Sequence, residues 1–172
     1  MEVEDGSGVP DADSYVTLDE AITYCADRGL TFSSSPSSLG EAALIRASKA
    51  IDLRYAGAFP GDRKTGRTQG LQWPRSGAYD VGGWLIPDDE VPIEIVQATI
   101  EAAVREFAVP NSMMPDLERG GQIQSIRAGS VGVTYSATAS AKTTYTLIDS
   151  LLINILTGVG GGGLSFGTVV RG

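Results

Sequence analysis

The segment Gln69-Gly70-Leu71-Gln72-Trp73-Pro74-Arg75-Ser76-Gly77-Ala78-Tyr79 separates two strong helix patterns in this chain. Long loops between regular elements are often kept for a function. Pro74 pushes the backbone of Trp73 into an extended conformation and cannot itself donate a ladder hydrogen bond. This geometry predicts that the indole ring of Trp73 points outward, and we expect the loop to be a contact surface.

Two helices are predicted before this loop. Thr17-Leu18-Asp19-Glu20 has the pattern of a capping box, and Gly29 suits a left-handed cap, so a first helix runs between them with Cys25 in the core. Ser38-Leu39-Gly40-Glu41 repeats the capping-box pattern and predicts a second helix to about Ala56. Helical spacing assigns its buried face to four residues, Leu44, Ala47, Ile51 and Tyr55.

The rest of the chain alternates turn-rich and periodic segments. Residues 57–87 are rich in Gly and Pro and predict irregular structure or one short strand pair, followed by a third helix from Pro92 to about Pro110. Its expected buried face is Val96, Ile100, Ala103 and Phe107. Residues 122–127 and 131–135 predict a β-hairpin, and residues 146–156 a fourth helix that is apolar on nearly all sides and belongs in the core or in a subunit interface.

These patterns predict an α+β, mainly helical fold with about four helices, a small β-hairpin, the long Trp-Pro-Arg loop and extended termini. Residues 1–157 are expected to form one helical domain, because 172 residues suffice for a single core. Within it, residues 1–14 are polar and acidic and are interpreted as an arm that orders only against a partner. Residues 158–172 are interpreted as a glycine-rich hinge and a strand-like tail suited to adding onto another sheet.

Composition excludes several classes of function. The chain has no histidine and one cysteine, which effectively excludes zinc sites and intramolecular disulfides. Its longest apolar run is short and interrupted by Asp149, so we expect no membrane span, and nothing at the start resembles a signal peptide. We therefore expect the chain to be cytosolic, made in the cytoplasm and kept there rather than exported.

Candidates for catalysis, metal binding and cofactor binding are weak. Asp88, Asp89 and Glu90 precede a predicted helix, where carboxylates are favoured by the helix dipole without any metal. The glycine run 160–163 lacks the lysine of a phosphate-binding loop. Residues 116–121 are polar enough for a site, but a carboxylate pair beside a turn is usually solvated surface. We expect no catalytic residue, no metal and no cofactor, and hence no enzyme.

Charge is unevenly spread along the chain, whose net charge is −8. Residues 1–20 are acidic, residues 46–75 are basic, and residues 88–119 are acidic again. Arginines interleaved with Tyr55, Phe59, Trp73 and Tyr79 could stack on and clamp single-stranded nucleic acid. The alternative is that Trp73 and Arg75 pack into a neighbouring protein surface. The net negative charge of the chain favours a contact with protein over one with nucleic acid, because it would repel phosphate.

Several segments together resemble the small neck proteins of tailed bacteriophages, which are head-to-tail connector or adaptor proteins often labelled DnaT-like single-stranded-DNA-binding proteins. The resemblance covers about residues 14 to 156. It depends on these segments: Ser14-Tyr15-Val16-Thr17-Leu18-Asp19-Glu20-Ala21, Glu41-Ala42-Ala43-Leu44-Ile45-Arg46-Ala47-Ser48, Leu71-Gln72-Trp73-Pro74-Arg75-Ser76-Gly77, Val91-Pro92, and Pro115-Asp116-Leu117-Glu118-Arg119-Gly120-Gly121.

This resemblance implies a virion protein of the neck, between head and tail. It implies a ring, usually of twelve copies, that binds the portal protein and other neck or tail-terminator proteins and lets DNA pass through its lumen without specific binding. The alternative is a single-stranded-DNA-binding replication accessory protein. The interface candidates are Trp73, Arg75, Tyr79, Arg63, Arg67, Leu164, Phe166, Val169, Val170 and Arg171.

Overall fold

The computed structural model describes residues 1–33, 35–115, 125–128, 131–134 and 144–157. Within these ranges lie four α-helices: α1 Leu18–Asp27, α2 Ser37–Tyr55, α3 Ile93–Ala108 and α4 Thr146–Leu152. Two short antiparallel strand pairs accompany them, β1 Asp62–Arg63 with β2 Arg75–Ser76, and β3 Ser125–Ala128 with β4 Val131–Thr134. Single 3-10 turns cover Gly66–Thr68 and Ile153–Ile155. The predicted mainly helical α+β fold, with its hairpin and its short strand pair in residues 57–87, is confirmed.

The core lies where α2 packs on α3 and α3 packs on α4. The predicted buried face of α2 is confirmed, because Leu44, Ala47, Ile51 and Tyr55 are all buried. The predicted face of α3 is only partly right, since Ile100 is buried but Val96 and Phe107 stay half-exposed. Because α3 is covered by two helices, its buried arc is wider than a single stripe and also includes Ile95, Ala98, Thr99, Ala102 and Glu106.

The two predicted capping boxes have different outcomes. At α1, the Thr17 hydroxyl accepts from the Glu20 amide at 3.2 Å and the Glu20 carboxylate accepts from the Thr17 amide at 2.9 Å, so this box is confirmed. The box at Ser38 is wrong, because α2 already begins at Ser37 after Pro36, with no side-chain cap. The extended backbone of Pro36 sets this entry point and places Ser38 inside the first turn.

Helix α4 is shorter than predicted. It ends at Leu152 and tightens into the 3-10 turn. Ile148 and Leu152 are buried against the core, whereas Leu147 and Ile153 are exposed. The expected glycine hinge and tail, residues 158–172, lie outside the described residues.

The N-terminal arm packs on its own chain, which contradicts the expectation that it orders only against a partner. The buried carboxylate of Glu4 accepts hydrogen bonds from the amides of Gly6, Gly8 and Val9 at 2.9 to 3.0 Å. The Gly70 amide donates to the Val9 carbonyl at 3.1 Å, so the arm contacts the central loop. The acidic composition of the arm suggested that its side chains face solvent. The Glu4 carboxylate instead accepts hydrogen bonds from backbone amides in the interior.

Candidate interaction surface

Trp73 is buried, so the prediction of an outward-pointing ring is wrong. Its side chain is 0% exposed and meets the Phe59 ring edge-to-face, with centroids 5.7 Å apart. Such a contact adds to the large gain from removing an indole ring from water. An extended backbone at Trp73 allows the indole ring to point either outward or inward, and the contacts with the core make it point inward.

Hydrogen bonds from the core to the loop backbone hold Trp73 inward. The Gln72 amide donates to the Asp52 carboxylate of α2 at 3.0 Å and to the Tyr15 hydroxyl at 2.9 Å. The Trp73 amide also donates to the Tyr15 hydroxyl, at 3.2 Å, and that hydroxyl donates to Asp52. The loop is thereby attached to both α2 and the segment preceding α1.

Arg75 is likewise part of the interior. Its guanidinium donates to the carbonyls of Pro60 at 2.6 Å, Gly61 at 2.5 Å and Gln72 at 3.3 Å, and the residue is 7% exposed. The expectation that Trp73 and Arg75 form an exposed contact is therefore corrected. Carbonyls at the turn before β1 require donors, and arginine supplies several in one planar group.

Asp52 makes the stability of this network depend on pH. Burial raises the pKa of its carboxyl from 3.8 to about 6, although the hydrogen bonds from Tyr15 and Gln72 oppose this rise. Because the folded state then binds the proton more tightly than the unfolded state, the stabilisation is complete below about pH 4 and is lost as the pH rises through about 6.

We expect the free energy of unfolding of the wild type, relative to that of Asp52→Asn, to fall by up to about 3 kcal/mol between these pH values. Asparagine keeps an acceptor for the Gln72 amide but does not titrate. Urea denaturation of both proteins across the pH range measures the difference. A difference that stays flat or rises with pH would contradict the assignment.

The other candidates are divided between surface and interior. Tyr79 is 53% exposed and Arg67 is exposed, as an interface role requires, whereas Arg63 is half-buried and donates to the Gln69 carbonyl at 3.4 Å. Leu164, Phe166, Val169, Val170 and Arg171 lie outside the described residues. Tyr79 and Arg67 therefore remain as exposed candidates.

Much of the basic segment forms contacts within the chain. Arg46 pairs with Glu106 at 2.8 Å, and Arg54 lies 3.9 Å from the Asp149 carboxylate. Lys64 donates to the Gly6 carbonyl at 3.2 Å. These contacts join α2 to α3 and α4, and the loop to the arm, so these cations serve the fold.

Sequence reasoning missed Trp84, which is 77% exposed and is the most exposed aromatic residue in the described part of the chain. It is the last residue of a tight turn, next to the antiparallel bridge between Tyr79 and Leu85. Asp80 closes the turn: its carboxylate accepts from the Trp84 amide at 2.8 Å, and its own amide donates to the Trp84 carbonyl at 2.9 Å. Gly83 adopts a positive φ of 82°. The sequence Asp80-Val81-Gly82-Gly83, with its aspartate and its glycine pair, is a turn signal that could have revealed this feature.

Buried residues and backbone hydrogen bonds hold the turn in place, so the exposed Trp84 belongs to an ordered part of the chain. The residues at its base, Ala78 and Ile86, are buried, and the Ile86 amide donates to the Ala78 carbonyl at 2.9 Å. The Val81 amide donates to the Asn154 carbonyl at 2.8 Å, which ties the tip to the segment after α4. We call the exposed set Tyr79, Val81, Trp84, Leu85 and Ile93 the Trp84 surface; its members are 53 to 77% exposed.

Acidic residues line two grooves beside this surface. A groove of about 320 Å³ beside Trp84 is lined by Ile93 and Ile155 and by the acidic residues Asp80, Glu90 and Glu94. A second groove, which shares Ile93, runs between α1 and α3 past Asp19, Glu20 and Asp27. Apolar area with an acidic rim suits an apolar partner that carries cations and disfavours phosphate.

Comparison with known proteins identifies the family. The family model described as "Putative DnaT-like ssDNA binding protein" matches residues 1–172. The chain belongs to this family. No curated protein and no solved structure matches the chain. The family label that the sequence indicated is thus confirmed over the full chain.

In this member of the DnaT-like family, the described residues contain neither a membrane-spanning helix nor a metal-binding cluster. No described helix is both long and apolar enough to cross a membrane. In the same part of the chain, no three His, Cys, Asp or Glu side chains are grouped so that they could hold a metal ion. Cys25 is a free, buried thiol, as the sequence predicted.

Proposed function

We propose that this chain is a structural assembly protein, a head-to-tail adaptor in the neck of a tailed bacteriophage. In this proposal its copies form a ring under the portal protein, joined to other neck or tail-terminator proteins, and DNA passes through the lumen without specific binding. The resemblance of residues 14 to 156 to neck proteins supports the identity of the assembly. The observation that supports a protein-binding role is that Trp84 is exposed, belongs to a turn held by hydrogen bonds, and lies beside acidic residues.

A neighbouring copy is the partner that fits this surface best. Monomeric proteins seldom leave a cluster of large apolar side chains exposed on an ordered support. Exposed Lys49 and Arg67 supply cations that complement the carboxylates around Trp84. A contact between two different patches of identical chains is heterologous, and such contacts close into rings when the rotation permits.

We expect Trp84→Ala to abolish self-association while the free energy of unfolding changes by less than about 0.5 kcal/mol, because the ring contributes little to the core. Leu53→Ala is the matched control, since Leu53 is 56% exposed on α2, outside the Trp84 surface. Sedimentation velocity and binding to portal-bearing heads measure the effect. Equal assembly by Trp84→Ala and the wild type would reject this role for the surface.

Single-stranded-DNA binding is the second candidate, and the family description favours it over a connector role. Tyr79 and Trp84 are exposed aromatic rings on which bases could stack, and Lys49 and Arg67 are exposed cations. The acidic rim around Trp84 opposes this candidate, because phosphate would lie beside Asp80, Glu90 and Glu94.

Titration of a labelled oligothymidine across a salt series separates the two candidates. Strand binding would be tight at low salt, would weaken steeply with added salt, and would be lost in Trp84→Ala. The adaptor predicts no measurable binding at physiological salt together with self-association. A monomer that binds the oligonucleotide in this salt-dependent way would overturn the adaptor proposal.

A further inference from the structure

We propose that the groove beside Trp84 is the docking site for the C-terminal segment 164–171 of the same chain, so that the isolated protein covers its own Trp84 surface. This inference goes beyond the proposed function, because it concerns the monomer before assembly: a neighbouring copy that binds the Trp84 surface must first displace the tail. It depends on where the described chain ends, on the length of the linker and on the matching of apolar groups and charge.

The described chain ends beside this groove. Ile155 lines the groove, and Thr157 is held two residues later by a hydrogen bond of 2.6 Å from its amide to the Ala58 carbonyl. The Asn154 carbonyl accepts from the Val81 amide on the turn that carries Trp84. The last described residues therefore lie close to the groove.

The linker is long enough to let the tail turn back. Residues 158–163 are five glycines and one valine. A glycine-rich linker of this length has a root-mean-square span of roughly 12 to 15 Å. A tethered segment whose site lies within such reach has an effective concentration on the order of millimolar. Docking in the same chain is thus favoured over docking in another copy at ordinary protein concentrations.

The chemistry of the tail complements the groove. Segment 164–171 offers the apolar side chains Leu164, Phe166, Val169 and Val170, and its single charge is the cation of Arg171. The groove offers the exposed side chains of Trp84, Leu85 and Ile93, and Asp80, Glu90 and Glu94 also line it. Covering the apolar area stabilises the docked state in proportion to the area removed from water, and Arg171 would face carboxylates.

Acrylamide quenching of tryptophan fluorescence tests the docking in the full chain. Trp73 is 0% exposed, so the quenchable signal belongs to Trp84. If at least half of the molecules are docked, the double variant Phe166→Ser and Val169→Ser should raise the quenching constant of Trp84 about twofold or more. Val159→Ser in the linker is the matched control and should leave it unchanged. Equal quenching of wild type and double variant overturns the proposal.

Disulfide trapping gives an independent measurement. The pair Leu85→Cys and Phe166→Cys should form an intramolecular bond under mild oxidation, at a yield independent of protein concentration, whereas Leu53→Cys with Phe166→Cys should not. The native Cys25 is 1% exposed and does not compete. Trapping only between copies, or equal trapping at position 53, overturns docking within the chain.

Discussion

Replacement of Trp73 by alanine is expected to lower the free energy of unfolding by about 3 to 5 kcal/mol. The indole is 0% exposed and packs edge-to-face on Phe59, so truncation removes both a large buried apolar area and a ring contact. A cavity of this size relaxes only partly, because the loop around it is held to Tyr15 and Asp52 by its backbone amides.

Urea denaturation followed by circular dichroism measures this change. Trp84→Ala is the matched control, because it removes the same side chain from a position that is 77% exposed, and it should have little effect on stability. Trp73→Phe should lose less than Trp73→Ala, since it keeps an aromatic ring near Phe59. Similar stabilities of Trp73→Ala and Trp84→Ala would show that the loop does not bury Trp73.

Glu106→Ala is expected to be the second most damaging change, at about 3 to 5 kcal/mol. Glu106 is 2% exposed, and its carboxylate accepts from Arg46 at 2.8 Å and from the amides of Asn111 at 2.7 Å and Met113 at 2.8 Å. Truncation leaves two backbone donors without this acceptor at the turn after α3 and removes the partner of Arg46. In the same turn, the Met113 carbonyl accepts a hydrogen bond from the Tyr145 hydroxyl, so the packing at the start of α4 should weaken as well.

Variants of the partners separate the contributions at this site. Arg46→Ala should cost less than Glu106→Ala, because a third of the Arg46 side chain is in water and the two amides keep their acceptor. Glu90→Ala is the control, since Glu90 is exposed. Chemical denaturation of the four proteins gives the comparison, and a Glu106→Ala protein as stable as Glu90→Ala would refute a structural role for the carboxylate.

Local patterns predicted those features that depend on neighbours in sequence. The Thr17 capping box, the left-handed Gly29 and the start of α3 after Pro92 require only residues within one turn, and the structure contains all three. Helical spacing found four buried residues of α2, but the buried face there also includes Ala43, Ser48, Ala50 and Asp52. It was also incomplete for α3, where two helices cover the surface and where the buried Glu106 breaks the apolar pattern.

The candidate site was predictable only in part. Tyr79 was singled out and is exposed, but Trp73 and Arg75 were assigned to the surface and are buried. Trp84 was overlooked although its turn residues were visible in the sequence. A carboxylate such as Glu4 or Asp52 looks like surface charge in sequence, since only distant backbone amides and hydroxyls can show that it is an internal acceptor.

The sequence by itself determined where the helices lie, where most of them end and that a glycine-marked hairpin follows α3, because those outcomes follow from local backbone preferences and short-range periodicity. Tertiary structure alone decided which of the two tryptophans is buried. Both occur in loops with strong turn signals, and the difference comes from residues distant in sequence. Phe59 packs on the Trp73 ring while Tyr15 and Asp52 hold the backbone of its loop, whereas Trp84 is largely in solvent beside a groove lined in part by carboxylates. Burial depends on those three-dimensional neighbours, which no local pattern contains.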